Sequence, residues 1–199
     1  MDQSVVGNRQ LEVIAGCMFS GKTEELIRRL KRVGIARWPV LLFKPTIDDR
    51  YSTNTTQTHD GLKFPAILLE PGKEMLEEVG RLAGHSAARG AMVVAFDEAQ
   101  FFSDKLPALC EALVGRGKKV MVAGLNLDFA GKPFGPMPLI MALADEVTSL
   151  TAICVKCGGA ATRTQRLVEG KPAPVDGPTI QIGGQESYEA RCRDCWERG

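Results

Sequence analysis

Short apolar runs alternate along most of the chain with segments whose apolar residues recur every three or four positions, a pattern that predicts strands interleaved with helices. Leu11-Glu-Val-Ile-Ala15 reads as a strand, and Leu26, Ile27, Leu30 and Val33 give one apolar face to a helix from Thr23 to Val33, with Gly34 as its stop signal. Val40-Leu-Leu-Phe43 reads as a second buried strand, bracketed by Pro39 and by Lys44-Pro45. Residues 46–63 are polar without clear period and read as a mobile loop or short hairpin. Ala66 to Leu69 is a further strand, Pro71 to Leu82 an amphipathic helix, and Ala91-Met-Val-Val-Ala-Phe96 a fully buried strand. Ser103 is placed to cap a helix running to Val114, followed by a strand from Lys119 to Gly124. After a Gly- and Pro-rich stretch from Asn126 to Pro138 come a helix, Leu139 to Ala144, and a last strand, Glu146 to Ile153. The alternation implies a mainly parallel sheet covered by helices, with ligands beyond the carboxyl ends of the strands.

The pattern changes near residue 150, so residues 1–150 read as an α/β domain and 151–199 as a second, smaller one. The latter has little continuous apolar sequence and needs another stabiliser. Cys154-x-x-Cys157 and Cys192-x-x-Cys195 supply four thiolates, which suit a closed, structural Zn²⁺ site. Two redox-active dithiols or an iron–sulfur cluster are the alternatives, and no neighbouring βαβ pattern supports the first. A metal tying both knuckles together would pin the base of a long excursion whose middle is a candidate lid. Cys17 and Cys110 read as packing or loop residues.

The chain has 199 residues, 44% of them hydrophobic, enough for a sizeable core. Its 25 basic and 24 acidic residues leave a net charge of +1, so it carries no electrostatic footprint for duplex nucleic acid or an anionic membrane. Arg163, Arg166, Arg191, Arg193 and Arg198 are interrupted by acidic residues and read as a solvated surface. No apolar run approaches the ~18 residues that span a bilayer, and Met-Asp-Gln-Ser at the start lacks the features of a secretory signal. The expectation is a cytoplasmic protein, in which six cysteines do not make a disulfide framework.

Chemistry concentrates at Gly16-Cys17-Met18-Phe19-Ser20-Gly21-Lys22-Thr23, which spells G-x-x-x-x-G-K-[ST] between a predicted strand and a predicted helix. In such a loop backbone N–H groups surround the phosphates, Lys22 adds charge at the β and γ oxygens, and the Thr23 hydroxyl can ligate Mg²⁺. Asp97-Glu98-Ala99-Gln100, all four counted with the ATP phosphate site, follows a strand directly, which suits Asp97 for a water-linked Mg²⁺ contact and Glu98 for accepting a proton. If water attacks the γ-phosphorus the protein is an ATPase, and if a substrate hydroxyl attacks it is a kinase; phosphate chemistry alone leaves both open.

Together these residues resemble the type II thymidine kinases found in bacteria, large DNA viruses and animal cytosol. The likeness rests on the loop at 16–23, Lys44-Pro45 followed by Asp49-Arg50-Tyr51, Thr58-His59-Asp60-Gly61, and Asp97-Glu98-Ala99-Gln100-Phe101-Phe102. It continues through Gly124-Leu125, Asp128-Phe129, Lys132-Pro133-Phe134-Gly135, Thr164-x-Arg166, Ile182-Gly183-Gly184, Tyr188 and the four cysteines. The resemblance implies a P-loop, RecA-like sheet with a zinc-ribbon lasso, and transfer of the ATP γ-phosphoryl to the 5′-hydroxyl of thymidine with Glu98 as the base. It also implies inhibition by thymidine triphosphate and a homotetramer.

By position, the resemblance implies that Met18, Phe101, Leu125, Phe129, Phe134 and Thr164 line the nucleoside site. It gives Thr179, Ile180, Gln181, Ile182 and Gly183 backbone bonds to the base, has Tyr188 close the pocket, and places Arg50 near the transferring phosphate. Phe102 reads as core packing. Two positions depart from the family: Cys17 stands where many relatives carry Pro, and Asn126 where relatives often carry Asp, so a carboxylate's charge is missing there. A P-loop ATPase acting on nucleic acid and a zinc-stabilised binding module are the competing readings.

Overall fold

The computed structural model of the chain describes residues 9–46, 55–57, 63–69, 77, 79, 81, 93–178 and 187–199. Its first strands are β1 (Gln10–Gly16), β2 (Val40–Pro45), β3 (Thr55–Gln57), β4 (Lys63–Pro65), β5 (Ile67–Leu69), β6 (Val93–Phe96), β7 (Lys119–Leu125) and β8 (Glu146–Leu150). All but β3 and β4 form one sheet in the order β5-β2-β6-β7-β1-β8, and every neighbouring pair in it is parallel. β3 and β4 pair antiparallel, the hairpin alternative for the polar stretch.

The central strands of a sheet covered on both faces have no solvent side, which is why β6 and most of β1 and β7 are apolar, whereas the outermost β8 is largely polar and exposed. Leu11, Val13 and Ala15 still alternate with Ile14. The first set packs with Val94, Phe96, Val120 and Val122 against α2 (Leu106–Gly115) and α3 (Met137–Leu143). Ile14 packs with Val93, Ala95, Met121 and Ala123 against Leu26, Leu30 and Val33 of α1 (Lys22–Ile35). Glu77, Val79 and Arg81 are helical, and Val79 reaches the first of these cores; the rest of that expected helix lies outside the described residues. Buried Glu12, the polar exception on β1, is paired with Arg29 and Lys119.

Three local expectations are corrected. Helix α1 does not stop at Gly34. Arg37 takes the left-handed conformation (φ 57°) and the Trp38 N–H bonds to Val33 O at 3.3 Å, a Schellman-type end set by Trp38 packing against the Val33 cluster, with Pro39 following. Ser103 does not cap α2 with its hydroxyl; its carbonyl accepts the Leu106 N–H at 3.0 Å, and Pro107 in the first turn removes a donor that a cap would serve. The run from Glu146 to Ile153 is two strands. β8 ends at Leu150, where its partner β1 ends at Gly16, and β9 (Ala152–Ile153) pairs antiparallel with β10 (Ala160–Ala161) instead.

Beyond β10 the strands form a separate small sheet. β11 (Arg163–Val168) lies between β12 (Lys171–Pro172) and β13 (Tyr188–Arg191), antiparallel to both. The apolar cluster beside them consists of Cys17, Ala152, Cys154, Ala161 and Ala190, with Phe19, Cys192 and Cys195 packed on it.

Candidate active site

The phosphate loop begins at the carboxyl end of β1. A Cβ on Gly16 would stand 2.6 Å from both Leu150 O and Ser20 Oγ, so no side chain fits there. Gly21 turns the chain into α1 with φ +81°. Lys22 opens that helix, and its Nζ donates to Cys17 O at 2.8 Å. Burial lowers the Lys22 pKa, while the negative charge of Glu98 pulls it back up. Cys17 packs inside the loop with its thiol donating to Ala161 O at 3.3 Å, and burial pushes that thiol up. Met18 N–H donates to Thr164 Oγ1 at 3.0 Å, so the first strand of the small antiparallel sheet braces the loop from outside.

Asp97 follows β6 and is buried. Thr23 Oγ1 donates to it, 3.3 Å from each carboxylate oxygen, which brings together the two groups assigned to Mg²⁺ across the ends of α1 and β6. Burial, then the Glu98 charge, raises the Asp97 pKa to about 7, against the pull of Lys44 and Lys22. Lys44, at the end of β2, was not among the residues singled out for the site.

Glu98 occupies the left-handed region with φ 54° and ψ 42°, which places it as the entry to a 3-10 turn, Ala99–Phe101. A non-glycine residue there is strained by roughly 1–2 kcal/mol. Its Oε2 accepts a hydrogen bond from Gln100 Nε2 at 2.6 Å, and Gln100 Oε1 accepts the Leu125 N–H at 2.9 Å. A buried amide thus joins Glu98 to Leu125 at the end of β7. The space around this link is filled: a Cβ on Gly124 would lie 2.8 Å from Gln100 Oε1, and one on Gly135 would lie 2.2 Å from Gln100 O. Both amide ends of Gln100 face protein groups, and Ala99 lies in the core with Phe96 and Phe102. Phe102 stacks edge-on against Phe96 at 5.6 Å, the packing role read for it.

Phe101 and Phe134 meet edge to face at 5.5 Å, both half-buried. Phe129 and Tyr188 are buried in one cluster with Ala130 and Ala173, on which Met18, Phe19 and Val175 pack. Met18 and Phe19 thus tie the Phe129–Tyr188 cluster to the phosphate loop. Arg50 and the stretch 179–183 lie outside the described residues, as do His59 and Asp60.

Two arginines read as surface residues are not. Arg166 is 2% and Arg191 6% exposed. Arg191 binds Glu189 and donates to Cys195 O at 3.0 Å, bracing the second cysteine knuckle. Arg166 lies over the Phe129 ring, 3.5 Å from its centroid. The available signal was the spacing Thr164-x-Arg166, which puts both residues on one face of a strand.

The sulfurs of Cys154, Cys157, Cys192 and Cys195 lie within 4.8 Å of one another. The Cys157–Cys192 separation is 3.7 Å, close to the edge of ~3.8 Å expected for a tetrahedron of Zn–S bonds of about 2.3 Å. Within the cluster, backbone N–H groups, that of Cys192 first, hold the Cys154 thiol down to about 6, while the neighbouring Cys192 and Cys157 sulfurs push Cys195 up to about 12, as expected of thiols that share protons. The donor set fits zinc.

The thymidine kinase family model matches residues 9–196. A thymidine kinase of Coprothermobacter proteolyticus is 52% identical over 182 residues, covering 92% of this chain and 87% of its own length. A match that runs unbroken from the first strand through the loop and the acidic pair to the last knuckle leaves one placement: the chain belongs to the thymidine kinase family, in its type II branch.

Proposed function

We propose that the protein salvages thymidine for DNA precursor synthesis, moving the γ-phosphoryl of ATP to the 5′-hydroxyl with Glu98 as general base. The observation that carries this reading is the Glu98 carboxylate, fixed by Gln100 beside the Thr23–Asp97 pair. In this reading the loop from Gly16 to Thr23 binds the phosphates through its backbone and Lys22. Thr23 and Asp97 are the groups that would hold Mg²⁺, which when bound adds positive charge against the β- and γ-phosphates. The thymidine O5′ forms the new bond to phosphorus, Glu98 takes its proton, and ADP leaves. A carboxylate locked by a neutral amide keeps its second oxygen for the hydroxyl.

Met18, Phe101, Leu125, Phe129, Phe134, Thr164 and Tyr188 form the nucleoside pocket, and residues 179–183 supply backbone groups to the base, with Arg50 at the phosphate. Residues 1–150 act as the nucleotide-binding kinase domain, and 151–199 as a lasso held by structural zinc. Its support is the spacing of the sulfurs and the bond from Met18 to Thr164. Thymidine triphosphate, which joins the base and a phosphate chain in one molecule, is the end-product inhibitor. A homotetramer is part of this reading; β8, an outermost strand of the sheet with Val147 exposed, is one edge at which copies of the chain would meet. No helix of the described residues is long and apolar enough to cross a membrane, and cytoplasmic residence completes the reading.

Purified protein incubated with ATP, Mg²⁺ and a panel of deoxynucleosides tests it. Thymidine monophosphate and ADP appear in equal amounts; release of free phosphate alone overturns the kinase reading.

A further inference from the structure

Arg166 is the largest fully buried side chain among the described residues. Enclosing a guanidinium is costly unless something answers its charge. Its Nε has no hydrogen-bond partner among the described residues. The compensation comes from elsewhere: the cation lies 3.5 Å from the Phe129 ring centroid, and Nη1 donates to the Pro178 carbonyl. The turn leading to Pro178 is fitted to this side chain. A Cβ on Gly177 would stand 2.7 Å from Nη2, while Gly177 N–H closes the turn on Pro174 O at 3.1 Å.

Cation–π attraction falls away when the ring turns its edge to the charge, so a guanidinium parked on Phe129 limits rotation of that ring. The fork geometry of Arg adds the second hold, on Pro178, which a Lys ammonium cannot reproduce in the same plane. One strand carries both braces: Thr164, two residues earlier on the same face of β11, accepts the Met18 N–H. Met18 and Phe129 are neighbours in one cluster with Tyr188. Strand β11 therefore works as a jig that holds two walls of a single pocket.

We propose that Arg166 is a positioning residue for the nucleoside, fixing the Phe129 ring and keeping it in register with the Pro174–Pro178 turn, immediately before residues 179–183. The proposal rests on the reading that Phe129 lines the nucleoside pocket.

Steady-state kinetics of Arg166→Met, Gly177→Ala, Phe129→Leu and the Arg166→Met/Phe129→Leu pair test it, with bound zinc measured alongside. Arg166→Met raises the thymidine KM by about tenfold, the scale of a desolvated cation–π contact, while the ATP KM and zinc content hold. Gly177→Ala leaves the charge in place but displaces the guanidinium, and raises the thymidine KM by about threefold. In the Phe129→Leu background, Arg166→Met adds less than its single effect. Equal rises in both KM values, or full additivity of the pair, overturn the proposal. If Arg166→Met does not fold, Gly177→Ala decides, and an unchanged thymidine KM overturns it. An effect of Phe129→Leu without any from Arg166→Met or Gly177→Ala sinks the role of Arg166 alone. An unchanged thymidine KM in Phe129→Leu removes the pocket reading and the proposal with it.

Discussion

Around the phosphate loop, Val13, Ile14, Val94 and Phe96 are fully buried between helical layers, whereas around the four cysteines the enclosed side chains include Ala152, Ala161 and Ala190. At about 25 cal/mol per Å² of apolar surface, valine and phenylalanine anchor a sheet far better than alanine does. The first region fixes its chemistry by burial; the second encloses too little apolar surface for that and, in the proposed reading, depends on metal ligation by the four cysteines. The loop touches both, through β1 on one side and through Ala161 and Thr164 on the other. A site shared in this way fails differently depending on which half is damaged.

The sharpest way to separate the halves is a change that affects chemistry alone. Glu98→Gln lowers kcat by about two to four orders of magnitude, the usual range for a general base, with ATP binding nearly intact. Near-normal turnover would move the base elsewhere. Breaking Gln100 tests the same half one step away. Gln100→Leu lowers kcat by about ten- to a hundredfold because Glu98 loses its hydrogen bond and the Leu125 N–H its acceptor. A change confined to the ATP KM would instead assign Gln100 to the phosphates.

Damage to the ligated half has another signature. Cys154→Ser or Cys192→Ser loses bound zinc and raises the thymidine KM by about tenfold, with a smaller rise for ATP transmitted through Met18 and Cys17. Equal rises would erase the distinction between the halves. The smallest effect lies on the surface of the buried half. Arg28 first, and Arg29 after it, hold the Glu25 carboxyl down at about 2. A depressed carboxylate stabilises the fold above its ordinary pKa of 4.5, and that contribution fades as pH falls from 4.5 towards 2. Glu25→Gln therefore lowers Tm by about 1–2 °C at pH 7, since Arg28 is largely solvated. Melting curves of the two proteins converge in acid; a difference that persists at pH 2 would contradict the assignment.

The two halves also differ in how much of them could be read from residues alone. The parallel sheet was legible because apolar runs of strand length, rich in β-branched residues and alternating with segments of helical spacing, suit buried strands, and the phosphate loop because its glycines have steric reasons, seen at Gly16 against Leu150. Helix ends were less so. Gly34 is a permissive residue, but the end of α1 was decided by the packing of Trp38, a tertiary contact that no local signal carries. The strand from Glu146 broke at Leu150 because β1 has no residue beyond Gly16 to pair with it, again a property of the partner. In the candidate site, composition suggested that Arg166 and Arg191 face solvent, since neighbouring acids seemed to answer them. Simple alternation does not account for their burial, since Gln165 beside Arg166 and Ala190 beside Arg191 are buried too; the burial comes with tertiary partners, the Phe129 ring and the Pro178 carbonyl for Arg166, and Glu189 and the Cys195 carbonyl for Arg191. The bridge from Glu98 through Gln100 to Leu125 joins positions far apart in sequence and becomes visible only when β6 and β7 lie side by side.

Glu98 sits where the backbone would rather have glycine. Variation selected only for heat resistance is therefore drawn towards Glu98→Gly, which relaxes the turn and, if Glu98 is the base as proposed, discards the proton acceptor in a single step. A library screened by melting alone would enrich sturdy, inert enzymes at this codon, and only a screen that also demands growth on supplied thymidine would keep the acid.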